Sequence, residues 1–254
     1  MSLNASRRQQ IAQLVREQRH ATVQELSAQF HVSEATIRRD LEQLDGQGML
    51  QRAHGGAIAL EAAPPEPPIG RRMVENQEEK RRIGVAAARL IDDGETIILG
   101  SGTTTLEVAR NLGDKRDLKV ITNALNIANV LANYEQMTVI VTGGLLRHTE
   151  LSMIGHLTEQ ALRDLRADKA VMSIRAISPT AGLTNEYGLE TMIDRTIIGM
   201  APQTILLADH TKWGKTATAF IAPATAAHTI VTTDAAPPTM VAELRASGVQ
   251  IVFG

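Results

Sequence analysis

Apolar residues near the start of the chain recur at the spacing of short amphipathic helices. Ile11, Leu14 and Val15 lie on one face of a first predicted helix. Thr22 and Glu25 have the spacing of a capping box, in which each side chain hydrogen-bonds the backbone N–H of the other residue. The beginning of the chain is therefore predicted to contain two short helices, the second starting at this capping box.

A third helix and a hairpin follow in the pattern. The helix is predicted to begin after Ser33, a good N-cap residue, and to end at Gly46. Residues 50–58 (LQRAHGGAI) predict a short hairpin with a Gly-Gly turn. Residues 1–59 are therefore predicted to form a small domain of three helices and a hairpin, with the hairpin as a wing beside a helix-turn-helix.

The remainder of the chain changes from helical spacing to an alternation of strands and helices. Residues 60–78 contain APPEPPIG, whose prolines cannot sustain a helix or a central strand, so this segment is predicted to be a linker. The strands predicted within residues 79–254 are Thr96–Leu99, Lys119–Ile121, Thr138–Val141, Ala170–Ile174, Thr204–Ala208, Thr229–Thr232 and Val249–Phe253. The predicted helices include Glu79–Ile91, Thr104–Leu112, Leu125–Ala132, Glu190–Met200 and Pro238–Ser247. This order predicts an α/β domain with a doubly wound, mostly parallel sheet.

The composition agrees with two domains and removes several kinds of chemistry. With 254 residues there is room for a small and a medium domain, and the 2% aromatic content leaves Ala, Val, Ile and Leu to build the core. The absence of cysteine excludes disulfides, thiolate catalysis and Cys-ligated zinc, and no metal or cofactor is expected. The chain shows neither a signal peptide nor an apolar membrane span, so a cytoplasmic location is expected.

Charge alone does not indicate a nucleic-acid partner. The net charge is −2, and the first 60 residues hold seven arginines against six carboxylates. The position of the charges is more informative. Ile37, Leu41 and Leu44 share one face of the third helix, and the opposite face presents polar residues that include Thr36, Arg38, Arg39 and Gln43. Arginine can pair with guanine and glutamine with adenine in a major groove, although a protein-interaction module remains the alternative.

A glycine-rich turn in the second domain is the strongest local signal for a ligand. Residues 100–105 (GSGTTT) connect an apolar strand to an amphipathic helix. Such a turn exposes backbone N–H groups at the positive end of the helix dipole, so it is suited to a phosphate. It lacks the Gly-Lys-Ser/Thr ending of a Walker loop and the GxGxxG dinucleotide fingerprint. A capped turn without a ligand is the alternative.

Other polar turns follow predicted strands. Asn123 and the segments 143–147, 182–184 and 209–212 lie at strand ends, where a doubly wound sheet has its ligand crevice. Lys212 is a natural partner for an anionic ligand and Asn123 for a hydroxyl group. We therefore expect these turns to contribute to one pocket.

Two long segments of the chain resemble the DeoR family of bacterial sugar-metabolism regulators. Residues 24–44 (QELSAQFHVSEATIRRDLEQL), followed by GMLQRAHGGA, resemble its DNA-binding domain. Residues 71–233, with SGTTT, TNALNIA, VTGGLLR, ADKAV, GLT and LLADHTKWG, resemble its effector domain, which is similar to ribose-5-phosphate isomerase and CoA transferases. The DNA contacts expected from the resemblance and from the helix face are Ser33, Thr36, Arg38, Arg39, Gln43, Arg52 and His54. The implied effector contacts are Ser101, Gly102, Thr103, Thr104, Asn123, Gly144, Arg147, Lys169 and Lys212.

The resemblance implies a transcriptional regulator, a repressor of a carbohydrate-metabolism operon. Its expected partners are a double-stranded DNA operator, a small phosphorylated sugar and further copies of the chain in a homodimer or higher even oligomer. A sugar-phosphate isomerase is the rival class, with Glu150, Glu186 or Glu190 as a base, but no paired carboxylate motif lies in the predicted pocket turns. A charged helix face is the simpler interpretation of Glu190. An architectural DNA-binding protein is disfavoured because most of the chain would have no role.

The chain departs from the family pattern at three places. Gly100 replaces an acidic residue before SGTTT, Arg175 lies in a segment that is usually Gly-Ala-x-Gly-Ile, and Asp194 with Arg195 replaces a Lys-Arg pair. The loss of a lysine and the gain of Arg175 lead to the hypothesis that the anionic end of the effector is held differently, with Arg175 among its contacts.

Overall fold

A computed structural model describes residues 3–18, 20–46, 50–53, 55–58, 61–62 and 67–254. Its first part contains three helices and a small sheet, as predicted. The elements are α1 (Leu3–Gln18), β1 (His20–Thr22), α2 (Val23–Phe30), α3 (Glu34–Gly46), β2 (Gln51–Ala53) and β3 (Gly56–Ile58). The strands are antiparallel in the order β1-β3-β2, so the predicted hairpin β2–β3 is joined by one further short strand.

The small domain is closed by its own core and by the predicted capping box. Ile11, Leu26 and Ile37, one from each helix, are fully buried in a shared cluster. Thr22 Oγ1 accepts a hydrogen bond from Glu25 N at 3.2 Å, and Thr22 N donates to Glu25 Oε2 at 2.7 Å. The hydrogen bonds from the Thr22 backbone and hydroxyl lower the pKa of Glu25. The N-terminal boundary of α2 is thus defined by its own sequence.

A buried ion pair connects the first and third helices. Arg7 Nε lies 2.7 Å from Asp40 Oδ2, and the Asp40 side chain is only 6% exposed. The hydrogen bond to Asp40 raises the pKa of Arg7 above its ordinary value. Asp40 interrupts the apolar face of α3. Its carboxylate can be buried against α1 because Arg7 pairs with it there.

The second part of the chain is an α/β domain with additional short strands. Its first elements are β4 (Glu61–Ala62), α4 (Ile69–Val74), α5 (Gln77–Ala88), β5 (Thr96–Leu99), α6 (Thr103–Arg110), β6 (Lys119–Thr122), α7 (Leu125–Leu131), β7 (Thr138–Val141), β8 (Leu145–Arg147) and β9 (Ser152–Ile154). They are followed by α8 (His156–Arg163), β10 (Lys169–Ser173), β11 (Ala176–Ser178), β12 (Gly182–Asn185), α9 (Gly188–Met200), β13 (Gln203–Leu207), β14 (Lys215–Thr216), β15 (Ala219–Ala222), β16 (Thr229–Thr232), α10 (Pro238–Ala246) and β17 (Gln250–Phe253).

The seven predicted strands form one parallel sheet in the order β17-β16-β13-β10-β5-β6-β7. Side chains alternate between its two faces: Ile98 belongs to one buried cluster, and Ile97 and Leu99 belong to the other. The strand order changes direction between β5 and β10, because β6 and β7 lie on one side of β5 and the later strands on the other. The doubly wound fold is confirmed, and its switch point lies at these two strands.

The segment predicted to be a linker is only partly irregular. Within residues 60–78, α4 packs on the α/β domain with Ile69 buried, and Ile69 N donates to Thr149 O at 2.8 Å. Strand β4 pairs in parallel with β14. The prediction was wrong for these residues because prolines 64, 65, 67 and 68 all precede the helix, with Pro68 at its N-cap, and so do not interrupt it.

Several short elements were not predicted. These are helix α8 and the strands of two small sheets, β8–β9 and β11-β12-β15. Within the described residues, no helix has both the length and the apolar character needed to cross a bilayer.

We expect Asp40→Ala to destabilise the small domain by about 1–3 kcal/mol, because the partly buried guanidinium of Arg7 loses its carboxylate. Denaturant unfolding measured by circular dichroism tests this, with Glu42→Ala on the exposed face of the same helix as control. A loss no larger than that of the control would contradict the stabilising role of the pair.

Candidate functional site

Helix α3 presents the predicted polar face to solvent. Its apolar residues Ile37, Leu41 and Leu44 are at most 1% exposed, so they hold the helix to the domain core. Of the residues predicted to contact DNA on this helix and its N-cap, Ser33, Arg38, Arg39 and Gln43 are exposed and Thr36 is half-buried. The orientation predicted from the helical wheel is thus correct.

The cations of this face have weak internal partners. Arg38 Nη2 lies 3.0 Å from Glu34 Oε2, one turn away on the same exposed surface. Arg39 makes no ion pair with any residue that the structure describes. Arg52, on β2, lies 3.8 Å from Glu42 Oε1. Exposed pairs of this kind stabilise little, so their arginines can exchange a carboxylate for a phosphate or a base edge at small cost.

The remaining candidates on this face differ in availability. Ser33 Oγ accepts a hydrogen bond from Thr36 N at 3.3 Å, and the two hydroxyl groups are 2.9 Å apart, so both belong to the N-terminal cap of α3. Gln43 Oε1 accepts a hydrogen bond from Arg8 Nη1. The prediction for His54 lies outside the described residues.

A small polar cavity lies where β5 and β10 end, at the switch point of the sheet. Its walls come from the turn after β5, the start of α6, the end of β10, β12, α9 and helix α4. The lining residues are Arg72, Ser101, Thr103, Thr104, Glu150, Ser173, Ile174, Arg175, Asn185, Glu190, Asp194 and Lys212. The carboxyl ends of parallel strands are where such sheets bind ligands.

The turn between β5 and α6 depends on Gly102. This residue has φ +121°, and a Cβ atom placed there would lie 2.1 Å from Ser173 Oγ. Ser173 Oγ donates to Ser101 O at 3.1 Å, which joins the ends of the two strands at the switch point. The close approach leaves the N-terminal amides of α6, beginning at Thr103, beside the cavity, where they and the helix dipole favour an anion.

Charged side chains of both signs surround the cavity. Glu150 accepts a short hydrogen bond from Arg72 Nη2, and Glu190 accepts one from Arg147 Nη1. Asn185 Nδ2 donates to Asp194 Oδ2 at 2.8 Å. The acidic groups in the cavity wall are therefore held in place by hydrogen bonds.

Five of the ten predicted effector contacts line this cavity: Ser101, Thr103, Thr104, Arg175 and Lys212. Two others act on it indirectly. Gly102 forms the turn, and Arg147 contacts Glu190 while its guanidinium lies 4.8 Å from the centre of the Tyr187 ring.

The last three predicted contacts lie elsewhere. Asn123 is buried and donates from Nδ2 to Met153 O at 3.0 Å, so it joins β6 to β9. Gly144 approaches Thr158, whose Oγ1 would lie 2.0 Å from an added Cβ atom. Neither residue is part of the cavity lining.

Lys169 was placed wrongly by the resemblance. It begins β10 at the end of the strand opposite the cavity, where Nζ lies 2.7 Å from Glu95 Oε1 and 3.2 Å from Asp92 Oδ2. Burial lowers the pKa of Lys169, but hydrogen bonds to Glu95 and Asp92 outweigh burial and raise it. Since β10 is parallel to its neighbours, its first and last residues lie at opposite edges of the sheet.

Sequence reasoning missed much of the acidic wall and the contribution of α4. Glu190, interpreted as part of a charged helix face, is only 5% exposed. Glu190 and Asp194 lie on the buried face of α9 with Ile193 and Ile197. Carboxylates at core-facing positions of a helix are unusual, and this spacing was the sequence signal that could have indicated their place in the site. Arg72 gave a weaker signal, three residues after the apolar Ile69 in a segment assigned to a linker.

One acidic cluster lies outside this cavity. Glu79, Asp209 and His210 offer ligand atoms within 4.8 Å of one another. Glu79 Oε1 accepts from His210 N at 2.8 Å and from Thr233 Oγ1 at 2.6 Å, so its position is explained by contacts within the protein.

Comparison with known proteins gives two domain matches. The description "DeoR-like helix-turn-helix domain" matches residues 7–63, and "DeoR C terminal sensor domain" matches residues 75–234. Together they cover most of the chain.

Named relatives match over nearly full length. The "Putative aga operon transcriptional repressor" of Escherichia coli O157:H7 is 33% identical over 98% of this chain and 93% of its own. The "Glycerol-3-phosphate regulon repressor" of Escherichia coli K12 is 34% identical over 92% of both chains. Among solved structures, ribose 5-phosphate isomerase A of Methanocaldococcus jannaschii is similar with a TM-score of 0.40 and 19% identity, covering 55% of each chain.

We expect Gly102→Ala to lower the stability of the α/β domain by about 1–3 kcal/mol, since the new methyl group overlaps Ser173 Oγ at an unfavourable φ. Gly143→Ala is the matched control, because nothing lies within 4 Å of a Cβ atom there. Chemical unfolding of both variants provides the measurement. Equal stabilities would show that the turn can rearrange freely and does not require glycine.

Proposed function

Because the chain belongs to the DeoR family of transcriptional regulators, we propose that it is a repressor whose affinity for an operator is controlled by a phosphorylated sugar. The observation that carries this proposal is the cavity at the switch point, whose wall includes the first residues of α6 and cationic side chains. Two relatives named as repressors of the aga operon and the glycerol-3-phosphate regulon support carbohydrate metabolism as the controlled pathway.

The small domain reads the operator with α3 in the major groove. Arg38 and Arg39 pair with guanine edges or phosphates, and Gln43 reaches an adenine. Ser33 and Thr36 contribute hydroxyl groups at the helix N-terminus, while Arg52 and His54 approach the adjacent backbone from the wing. A helix of this length reads one half-site, so we propose a homodimer, or a higher even oligomer, acting on paired half-sites in the cytoplasm.

The α/β domain holds the effector by its phosphate. The amides of the first turn of α6, the hydroxyl groups of Ser101, Thr103 and Thr104, and the ammonium of Lys212 form the anion site. Arg175, between β10 and β11, supplies a second cation to the cavity wall. A dianionic phosphate is therefore met by both partial and full positive charges.

Segments between the two domains provide the route of control. Arg72 of α4 lines the cavity, and Lys80 Nζ donates to Glu75 O at 2.6 Å and also to Arg72 O. Strand β4, nearer the small domain, pairs with β14, which begins three residues after Lys212. A ligand that moves Arg72 thus acts on α4, and one that moves Lys212 acts on the strand pair β4–β14. The ligand can regulate DNA binding only if its affinities for the DNA-competent and DNA-incompetent states differ.

We expect Arg38→Ala with Arg39→Ala to weaken operator binding by roughly 100-fold or more and to reduce its salt dependence, since two guanidinium contacts are lost. The operator is taken from the chain's own promoter region, and affinity is measured by fluorescence anisotropy at several salt concentrations. The control is Arg81→Ala with Arg89→Ala, which removes the same amount of charge from the α/β domain. Arg81 is paired with Glu78 on α5, and Arg89 is exposed at the C-cap of the same helix. Unchanged operator affinity in the α3 variant would overturn the proposed DNA-binding surface.

A second test concerns the route of control. A panel of sugar phosphates is first screened by thermal unfolding for a stabilising ligand. Saturating amounts of that ligand should change the operator Kd by roughly 5–150-fold, and Arg72→Met should bring this ratio close to one.

Two further variants complete this test. Arg71→Met, exposed on the same helix, should keep the wild-type ratio. Arg72→Met with Glu150→Leu removes both buried charges, which separates loss of control from the cost of an unpaired carboxylate. A full ligand effect in both Arg72 variants would contradict this route.

A further inference from the structure

A groove between α8 and α9 is a second concave site, separate from the cavity at the switch point. Its volume is about 550 Å³, a size typical of small-molecule sites, and it shares no lining residue with that cavity. The lining residues are Glu159, Arg163, Arg166, Met192, Arg195, Thr196, Gly199 and Met200. Helix α9 therefore faces the cavity with one side and this groove with the other.

Positive charge predominates among the residues that line the groove. The arginines come from the end of α8, from the segment that follows it and from α9, and Glu159 is the carboxylate among the lining residues. Glu159 Oε1 accepts a hydrogen bond from Arg163 Nη2 at 2.5 Å, so its charge is already paired. Arg166 and Arg195 remain as two cations beside the same groove, and an anion bound there reduces their repulsion.

Arg166 and Arg195 are anchored by backbone carbonyl groups rather than by carboxylates. Arg166 Nη1 donates to Arg163 O at 2.8 Å and to Leu165 O at 2.7 Å. Arg195 Nη2 donates a short hydrogen bond to Phe220 O. Neither arginine forms an ion pair with a residue that the structure describes. A guanidinium has five N–H donors, so each of these side chains keeps its positive charge and further donors for an anion.

The groove also has an apolar part, contributed by α9. Met192 is 44% exposed, and Met200 lines the groove near the end of the helix. Gly199 lies between them in the lining, and nothing lies within 4 Å of a Cβ atom placed there. Methionine sulfur makes favourable contacts with aromatic rings, and guanidinium planes stack on flat rings. The groove thus combines groups that bind phosphate with groups that contact a nucleobase.

We propose that the groove binds a nucleoside diphosphate, with the diphosphate at Arg166 and Arg195 and the base against Met192. Phosphate oxygens match the fork of guanidinium N–H donors, and two cations that are not paired with carboxylates suit two phosphate groups. This inference goes beyond the proposed function and does not depend on it, because the groove and the cavity have no lining residue in common.

Affinities for the full chain are measured by isothermal titration calorimetry in a buffer free of phosphate and magnesium, which would compete for the site or for the ligand. The probes are ADP, GDP, CDP and UDP, the four corresponding nucleosides, and inorganic pyrophosphate. We expect at least one nucleotide to bind roughly 3-fold or more tightly than pyrophosphate, because its base contacts the methionines. Its nucleoside should bind at least about 10-fold more weakly than the nucleotide, because it lacks the charge.

Arg166→Ala with Arg195→Ala should weaken the binding of that nucleotide and of pyrophosphate by roughly 10-fold or more. Arg166→Gln with Arg195→Gln should give the same loss while keeping a donor for each backbone carbonyl, which separates the loss of charge from a change in fold. The matched control, Arg110→Ala with Arg116→Ala, removes two exposed arginines elsewhere on the domain and should keep wild-type affinity. Met192→Ala should weaken only nucleotide binding, by about 3-fold.

Each outcome decides a different part of the proposal. Unchanged nucleotide affinity in both arginine variants would place the binding site elsewhere and overturn the role of the groove. Pyrophosphate that binds as tightly as every nucleotide would overturn the nucleotide assignment. If neither a nucleotide nor pyrophosphate binds, the whole inference fails, whereas the proposed repressor function is tested independently with operator DNA and sugar phosphates.

Discussion

The close contact between the ends of β5 and β10 is the constraint on which the candidate ligand site depends. The two strands are parallel, but the strand order reverses between them, so their connections go to opposite sides of the sheet and leave a crevice between the strand ends. Gly102 allows Ser173 to approach the turn, and Ser173 ties the turn to its own strand. With any side chain at position 102, the first amides of α6 could not lie beside the crevice in this geometry.

Buried charge then determines which surrounding segments belong to the site. A guanidinium or carboxylate removed from water must be paired, so each charged residue in the wall requires a partner from another element. Arg72 of α4 meets Glu150 between β8 and β9, and Arg147 of β8 meets Glu190 of α9. The first of these pairs holds α4, which lies between the two domains in the sequence, against the cavity. The need for charge pairing therefore makes the ligand site and the connection to the DNA-binding domain parts of one arrangement.

Most of the fold could be predicted from the sequence because its signals are local. All seven strands of the main sheet were predicted to within one residue at each end, since apolar runs bounded by polar turns mark buried parallel strands. The wall of the cavity was harder. Residues adjacent to the glycine-rich turn were found, but Arg72 and Asn185 come from distant segments that only the folded topology brings together. Lys169 shows the converse error, because resemblance alone does not tell which edge of the sheet a residue occupies.

Mixed charge in the cavity has a consequence for regulation as well as for affinity. A ligand shifts an equilibrium between two conformations only through its difference in affinity for them. A phosphate bound in this cavity would compete with Glu150 for Arg72, so binding would redistribute an ion pair rather than simply add contacts. Because Arg72 lies on α4, a redistribution that involves it acts directly on the segment leading to the DNA-binding domain. Under the proposed function, Glu150 contributes to control because it is a partner for Arg72 that competes with the ligand.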